Sequence, residues 1–107
     1  MSIEVPLEEL ADAVSQRGAA YLLTTTADSR PHVMHLRFAV NGTELRAAVG
    51  RSAARNIAAQ PAVTLLWPAP DEGEYSLIVD GSAQIEDDAT AVINAEWAVL
   101  HRPAPSQ

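Results

Sequence analysis

Apolar residues recur along the chain with two different periods, and the change of period separates helices from strands. Near the N-terminus, Leu7, Leu10 and Val14 follow helical spacing, while acidic residues occupy the other side. This pattern predicts a helix from about Pro6 to Gln16. The helix should end before Gly18, because glycine readily adopts the left-handed conformation that closes a helix.

The next part of the chain alternates with a period of two. Three strands are predicted, over about 19–26, 32–40 and 43–49, and they should form an antiparallel meander. Asn41-Gly42 predicts a type I′ hairpin turn, because both positions tolerate positive φ angles. The second strand is predicted to have a core face and an opposite face, with Met34, Leu36, Phe38 and Val40 on the first and Val33, His35, Arg37 and Ala39 on the second.

A short helix and a fourth strand follow. The alanines after Ser52 favour a helix, and proline cannot continue one, so a helix is predicted from Ser52 to Ala59, before Pro61. The fourth strand is predicted over 62–67. The polar, proline-containing segment 68–74 is predicted to be a loop.

The last third of the chain is predicted to contain two strand segments and a helix. The segments span about 75–79 and 82–86, and Gly81 between them indicates a bulge or bend. A terminal helix is predicted over about 87–102. Its apolar side would carry Val92, Ile93, Trp97 and Leu100.

These elements predict a single domain over residues 1–107, with 103–107 as a frayed tail. Short strands joined mostly by turns, with too few helices for alternating βαβ units, favour a mainly β fold with flanking helices. We therefore expect an antiparallel barrel.

Composition excludes several function classes. A net charge of −7 argues against a nucleic-acid partner, because such binding needs a basic surface. The absence of cysteine excludes disulfides, thiolate metal sites and a cysteine nucleophile. We expect no metal site, because His32 and His35 point to opposite faces of a strand and His101 is remote. Without a secretory signal or a membrane-length apolar run, we expect a cytoplasmic protein with no membrane partner.

Candidate binding chemistry is concentrated where the third strand meets the short helix, at Arg51, Ser52, Arg55 and Asn56. Ser52 is a suitable N-cap, and free N–H groups in a first helical turn favour an anion. The arginines add forked donors suited to phosphate. The alternative is a capped helix whose arginines pair with surface acids, and spacing alone does not separate the two. The chain has no hydrolase elbow, P-loop or dinucleotide motif, and no residue stands out as catalytic.

From Leu7 to about Asp88 the chain resembles the pyridoxamine 5′-phosphate oxidase-like, FMN-binding split-barrel family. The resemblance depends on the order and spacing of several short motifs. They are Ala-Tyr-Leu-Leu-Thr-Thr, Asp-Ser-Arg-Pro-His-Val, the Asn-Gly hairpin, Gly-Arg-Ser-Ala-Ala-Arg-Asn-Ile, Gln-Pro-Ala-Val-Thr-Leu-Leu-Trp and Gly81.

The resemblance implies a six-stranded antiparallel split barrel that forms a homodimer, with FMN or the deazaflavin F420 bound between subunits. It implies a phosphate site at Ser52 and Arg55, with Arg51 and Asn56 adjoining. His35 and Arg37 would approach the cofactor ring or the other subunit. Trp67 is a further candidate cofactor contact. The alternative for Trp67 is a side chain that packs in the core or in an interface, and for Trp97 we favour that packing role.

The function implied by the resemblance is that of an FMN- or deazaflavin-dependent oxidoreductase acting on a small organic molecule. The chain ends soon after the last predicted element, without the segment that helps to bind substrate in true pyridoxamine phosphate oxidases, so that specific activity is not expected. The main alternative is a cofactor-free dimeric split barrel with a binding or regulatory role. A heme-handling relative is disfavoured because the chain has only three histidines.

Overall fold

The computed structural model describes residues 1–87 and 89–104. A short 3₁₀ turn, Leu7–Glu9, precedes the first helix. The helices are α1 (Leu10–Ser15) and α2 (Gly50–Ala59). The strands are β1 (Ser2–Glu4), β2 (Ala20–Thr25), β3 (Pro31–Leu36), β4 (Ala39–Asn41), β5 (Glu44–Ala48), β6 (Ala62–Trp67), β7 (Ser76–Glu86) and β8 (Thr90–His101).

Within the described residues, eight strands form one antiparallel sheet in the order β3-β2-β6-β7-β8-β5-β4, and β1 pairs with β8. The two ends of this path, β3 and β4, are separated in sequence by only Arg37 and Phe38. In a flat sheet six strand spacings would place them about 29 Å apart, whereas three residue steps reach at most about 11 Å. The sheet must therefore curl, and it forms an antiparallel half-barrel.

The inner face of the curled sheet forms the core. Its largest fully buried side chains come from five strands and both helices, and they include Leu10, Leu22, Leu45, Ile57, Leu65, Trp67, Leu77, Val79 and Ile93. Helix α2 packs against β2, β7 and β8. It turns Ala53, Ala54 and Ile57 towards the core and leaves its other side exposed. This arrangement places the start of α2, where the candidate residues lie, on the surface.

The N-terminal half largely confirms the predicted elements. The first helix is present as the 3₁₀ turn followed by α1, and the predicted inner face of strand two packs against the core. Two details are wrong. Strand two breaks at Arg37 and Phe38, so the uninterrupted meander does not form. The hairpin turn is Gly42-Thr43, because Asn41 still pairs with Glu44 and only Gly42 has a positive φ, of 63°.

In the middle of the chain, α2 and the loop over 68–74 are present as predicted. The strand β6 is also confirmed, and its bounds match the prediction. The two predicted segments after the loop are one strand, β7, whose pairing shifts at Asp80/Gly81 and thus confirms the bulge. Ser52 as N-cap is wrong. The helix already begins at Gly50, its N-cap residue is Val49, and no side chain caps it.

The predicted terminal helix is wrong, because its described residues form β8, the longest strand. The strand is paired with β7 along its length, with β5 at one end and with β1 at the other. An extra residue at the bulge interrupts the period of two, so the apolar residues fit a helical spacing by coincidence. Asp88, within that predicted helix, and 105–107 of the predicted tail lie outside the described residues.

Candidate functional site

The candidate site begins where β5 leaves the sheet and α2 starts. Val49 is buried, and its N–H donates to the carbonyl oxygen of Ala89 at 2.7 Å. Gly50 then turns the chain with a φ of 80°, in the left-handed region that favours glycine. This turn directs the first residues of α2 away from the core and into solvent.

Arg51, Ser52 and Arg55 are exposed and lie on one face of α2, because residues three and four apart are neighbours on a helix surface. Among residues 1–87 and 89–104, neither arginine has a carboxylate within 4.0 Å; both ion pairs found there belong to Arg46. The alternative in which surface acids neutralise these arginines is thus not seen in that part of the chain. What remains is two guanidinium groups and a hydroxyl at the positive end of a helix, which suits an anion.

Arg46 shows what a paired arginine looks like in this molecule. Its guanidinium donates to Glu44 at 2.9 Å and to Glu86 at 3.1 Å, and these hydrogen bonds raise the pKa of Arg46. With its donors engaged by two carboxylates, Arg46 is a poor candidate for binding another anion.

Asn56 differs from its neighbours because its side chain points into the molecule. It is buried, and its Nδ2 donates to Oγ1 of Thr24 on β2 at 3.1 Å. Near the end of the same helix, Nε2 of Gln60 donates to the carbonyl oxygen of Thr26 at 2.7 Å. These two bonds attach α2 to β2, so the structure places Asn56 beneath the exposed candidate residues.

His35 and Arg37, expected near a cofactor ring or second subunit, are both exposed. The imidazole of His35 stacks on Tyr21 of β2, with ring centroids 4.4 Å apart and an angle of 16° between the planes. Arg37 follows the end of β3, near Gly18. No hydrogen bond or ion pair of the described residues connects either side chain with α2.

Trp67 lies in the core with 1% of its surface exposed, and its ring meets that of Phe38 at a centroid distance of 6.2 Å. It therefore offers no open face to a ligand in this structure. Its position fits the alternative for Trp67, a side chain that packs in the core.

The outer face of the sheet includes His35, which was predicted to approach the cofactor ring or the other subunit, and its extension over β2, β6, β7 and β8 is the part that the sequence did not predict. Strand pairing aligns Val33, Leu23, Thr64, Asp80 and Trp97 across five strands. Val33 and Trp97, at the two ends of this row, have 54% and 43% of their surface exposed. Beside this row a groove of about 420 Å³ opens. The period-two pattern could show that Val33 faces outward, but not which strands would lie beside it.

The described residues contain no helix long and apolar enough to cross a membrane. No protein-family model matches the chain.

Several solved structures share this fold. A Listeria innocua protein assigned provisionally as a pyridoxamine 5′-phosphate oxidase superposes with a TM-score of 0.70 and 17% identity, over 88% of this chain and 96% of that one. An FAD-binding protein of Mesorhizobium loti superposes with a TM-score of 0.72 and 15% identity, over 95% of this chain and 99% of that one. An F420 reductase superposes with a TM-score of 0.67 and 22% identity, over 81% of this chain and 94% of that one. The heme storage protein HutZ of Vibrio cholerae superposes with a TM-score of 0.64 and 19% identity, over 89% of this chain and 94% of that one.

The curled antiparallel sheet and these superpositions show that the chain has the split-barrel fold, which is the fold that the resemblance found in the sequence implies. Closer in sequence are two proteins described as uncharacterized, Mb0449c of Mycobacterium bovis and MT0457 of Mycobacterium tuberculosis. Each is 36% identical over 94% of this chain and 82% of its own length. The chain belongs to the family of these mycobacterial proteins.

Proposed function

We propose that this protein binds a phosphate-bearing flavin-type cofactor, with FMN as the first candidate and the deazaflavin F420 as the alternative. The observation that carries the proposal is the exposed group formed by Arg51, Ser52 and Arg55, whose arginines have no carboxylate partner in the described part of the chain. Forked guanidinium donors and a hydroxyl beside a helix N-terminus fit a phosphate. Two structures with the same fold, an F420 reductase and an FAD-binding protein, support a cofactor of this type.

We also propose that the protein acts as a homodimer with the cofactor at the subunit interface. Support comes from the outer sheet face, where Tyr21, Val33 and Trp97 are 37%, 54% and 43% exposed. Leu66 and Ile78 pair on the same face next to Tyr21. A contiguous apolar surface of this kind is typical of an interaction site. His35, stacked on Tyr21, would then lie at the edge of that interface, where the cofactor ring is expected.

The proposed activity is oxidation or reduction of a small organic molecule. The bound cofactor would supply the electron transfer. The protein would contribute binding and orientation: Arg51, Ser52 and Arg55 hold the phosphate, while Asn56, bonded to Thr24, holds α2 in position. His35 and Arg37 lie on exposed surface and are available to the ring or to the second subunit.

A direct test is titration of the purified protein with FMN and F420, followed by absorbance and fluorescence, with riboflavin as the phosphate-free control. FMN should bind at least tenfold more tightly than riboflavin. Replacing Arg55 or Arg51 by alanine should weaken FMN binding by roughly tenfold each, because a charge-assisted hydrogen bond contributes about 1.5 kcal/mol or more. Riboflavin binding should change much less.

Arg30→Ala is the matched control, because Arg30 is an exposed arginine in the turn between β2 and β3. That turn meets the C-terminal end of α2 through the bond from Gln60 to Thr26, whereas Arg51, Ser52 and Arg55 lie towards its N-terminal end. The Arg30→Ala variant should leave FMN affinity unchanged. If neither FMN nor F420 binds at micromolar concentrations, the proposal is wrong and the cofactor-free dimeric binding or regulatory protein becomes the better explanation.

A further inference from the structure

One row of side chains crosses the whole outer face of the sheet. Strand pairing aligns one residue from each of six strands, and aligned residues of paired strands point to the same face. In order across the sheet the row is His35, Tyr21, Leu66, Ile78, Val99 and Glu4. An imidazole therefore stands at one end of the row and a carboxylate at the other, with four apolar or aromatic side chains between them.

Arg37 adds a permanent positive charge at the β3 end of the row. It follows His35 by two residues, and the alternation of exposed and half-buried positions along β3 continues through Arg37, so both residues lie on the outer side. Among residues 1–87 and 89–104, no carboxylate lies within 4.0 Å of its guanidinium. The charge is thus available to a group from another molecule.

The opposite end of the face is acidic. The strands β7, β8 and β1 contain no arginine or lysine and carry Asp80, Glu96 and Glu4, whereas β3, β2 and β6 contain no acidic residue. Glu4 is exposed and has no basic partner within 4.0 Å in the described part of the chain. Arg102, just beyond β8, is already engaged, because its guanidinium packs over the ring of Tyr75 and donates to a backbone carbonyl oxygen at 3.1 Å.

This order makes the row complementary to a second copy of itself. In a two-fold interface the same patch meets itself, so that each contact occurs twice. A two-fold axis parallel to the strands, between β6 and β7, lays the row on its copy in reverse order. Leu66 then lies against Ile78 of the second copy, and Tyr21 lies against Val99 of the second copy.

The same axis brings opposite charges together at both ends of the row. Arg37 and His35 come to lie beside Glu4 of the second copy. Because the sheet curls away from its partner at these ends, a contact there needs long side chains, which Arg37 and Glu4 have. An axis perpendicular to the strands would instead lay β7, β8 and β1 on their own copies and bring carboxylates together, which is unfavourable.

We propose that two copies of this chain associate through the outer sheet face with β3 of each copy over β1 of the other, and that Arg37 of each copy pairs with Glu4 of the other. This inference rests on the proposed homodimer and adds its orientation and its charge pairs. The apolar middle of the row supplies the buried contact, and the charged ends select one orientation.

Reversing one charge at a time in the full chain tests the pairing. Dimer dissociation constants are measured by analytical ultracentrifugation over a dilution series. Arg37→Glu and Glu4→Arg should each weaken the dimer by about tenfold or more, because each variant dimer would contain two like-charge pairs. An equimolar mixture of the two variants should form a heterodimer within about threefold of wild-type stability, since both of its pairs are again opposite in charge.

Asp12→Arg is the matched control, because Asp12 is an exposed carboxylate on α1, and it should dimerise as the wild type does. Circular dichroism checks that each variant is folded. A monomeric wild type would refute the homodimer and this inference with it. A dimeric wild type whose folded single variants dimerise normally, or whose mixed variants form no preferred heterodimer, overturns the orientation alone and leaves the homodimer proposal standing.

Discussion

At the scale of single residues, two buried positions control local geometry. Gly81 permits the close approach of β7 and β8, and Asn56 attaches α2 to β2 through Thr24. Gly81 lies at the bulge between two central strands, and Asn56 lies on the buried side of the helix that carries the exposed arginines. Substitutions at both positions should therefore appear first in stability.

Gly81→Ala should lower the free energy of unfolding by about 1–3 kcal/mol, the usual cost of overpacking, because the new methyl group would overlap the backbone of Asn94. Urea denaturation measures it. Gly18→Ala is the control, since its nearest neighbour would be Arg37 Nη2 at 3.8 Å, an ordinary contact. Equal stability of the two variants would contradict this account of the bulge.

Asn56→Ala should destabilise the protein by about 1–3 kcal/mol, because it leaves the buried hydroxyl of Thr24 without its donor. Thr24→Val should cost a similar amount. In the double variant the two losses should not add, because the second change removes a group that is already unpaired. Simple additivity in denaturant titrations would show that the hydrogen bond contributes little.

At the scale of elements, β8 is the strand that joins the largest number of other strands in the sheet. It pairs with β7, β5 and β1, and most of its alternating residues face the core. Local preference alone does not exclude a helix here, because Ala, Glu and Leu are good helix formers. Pairing with neighbouring strands overrides that preference.

Asn94→Pro tests this directly. Asn94 is exposed but pairs with Glu44 and Ser82 on both sides, so proline removes backbone bonding without removing core volume. Proline should cost about 3 kcal/mol or more, since it cannot donate to the ladder. Asn94→Ala should change stability by about 0.5 kcal/mol or less, as expected for an exposed side chain. Thermal unfolding compares the two; a stable Asn94→Pro variant would contradict a central strand at this position.

At the scale of the whole molecule, curling of the sheet determines which surfaces are available. The inner face is filled by the core, α2 packs against β2, β7 and β8, and the outer face presents Tyr21, Val33 and Trp97. The proposed dimer interface and the groove both belong to this outer face.

Val33→Glu should convert the proposed dimer into a monomer, because it introduces a charge into an apolar contact. Light scattering coupled to size-exclusion chromatography should give about twice 11.4 kDa for the wild type and about 11.4 kDa for the variant. Ala11→Glu, on the exposed side of α1, should remain dimeric. A monomeric wild type would refute the dimer proposal.

The sequence by itself determined the features that depend on local physics. Alternation identified the inner face of strand two, Pro61 and the alanines identified α2, and Gly81 identified the bulge. It also located Arg51 and Arg55 where a strand ends and a helix starts, and the structure shows both side chains exposed there. In these cases the deciding interactions lie within a few residues.

Only the tertiary structure decided the rest, since those features depend on residues far apart in sequence. The strand character of β8 comes from pairing with three distant strands, and the burial of Asn56 and Trp67 comes from what packs over them. Asp80 and Glu96 line the same groove because β7 and β8 pair with a shift at the bulge. Hydrophobic pattern identifies which side of an element is buried, but not which other elements complete a surface.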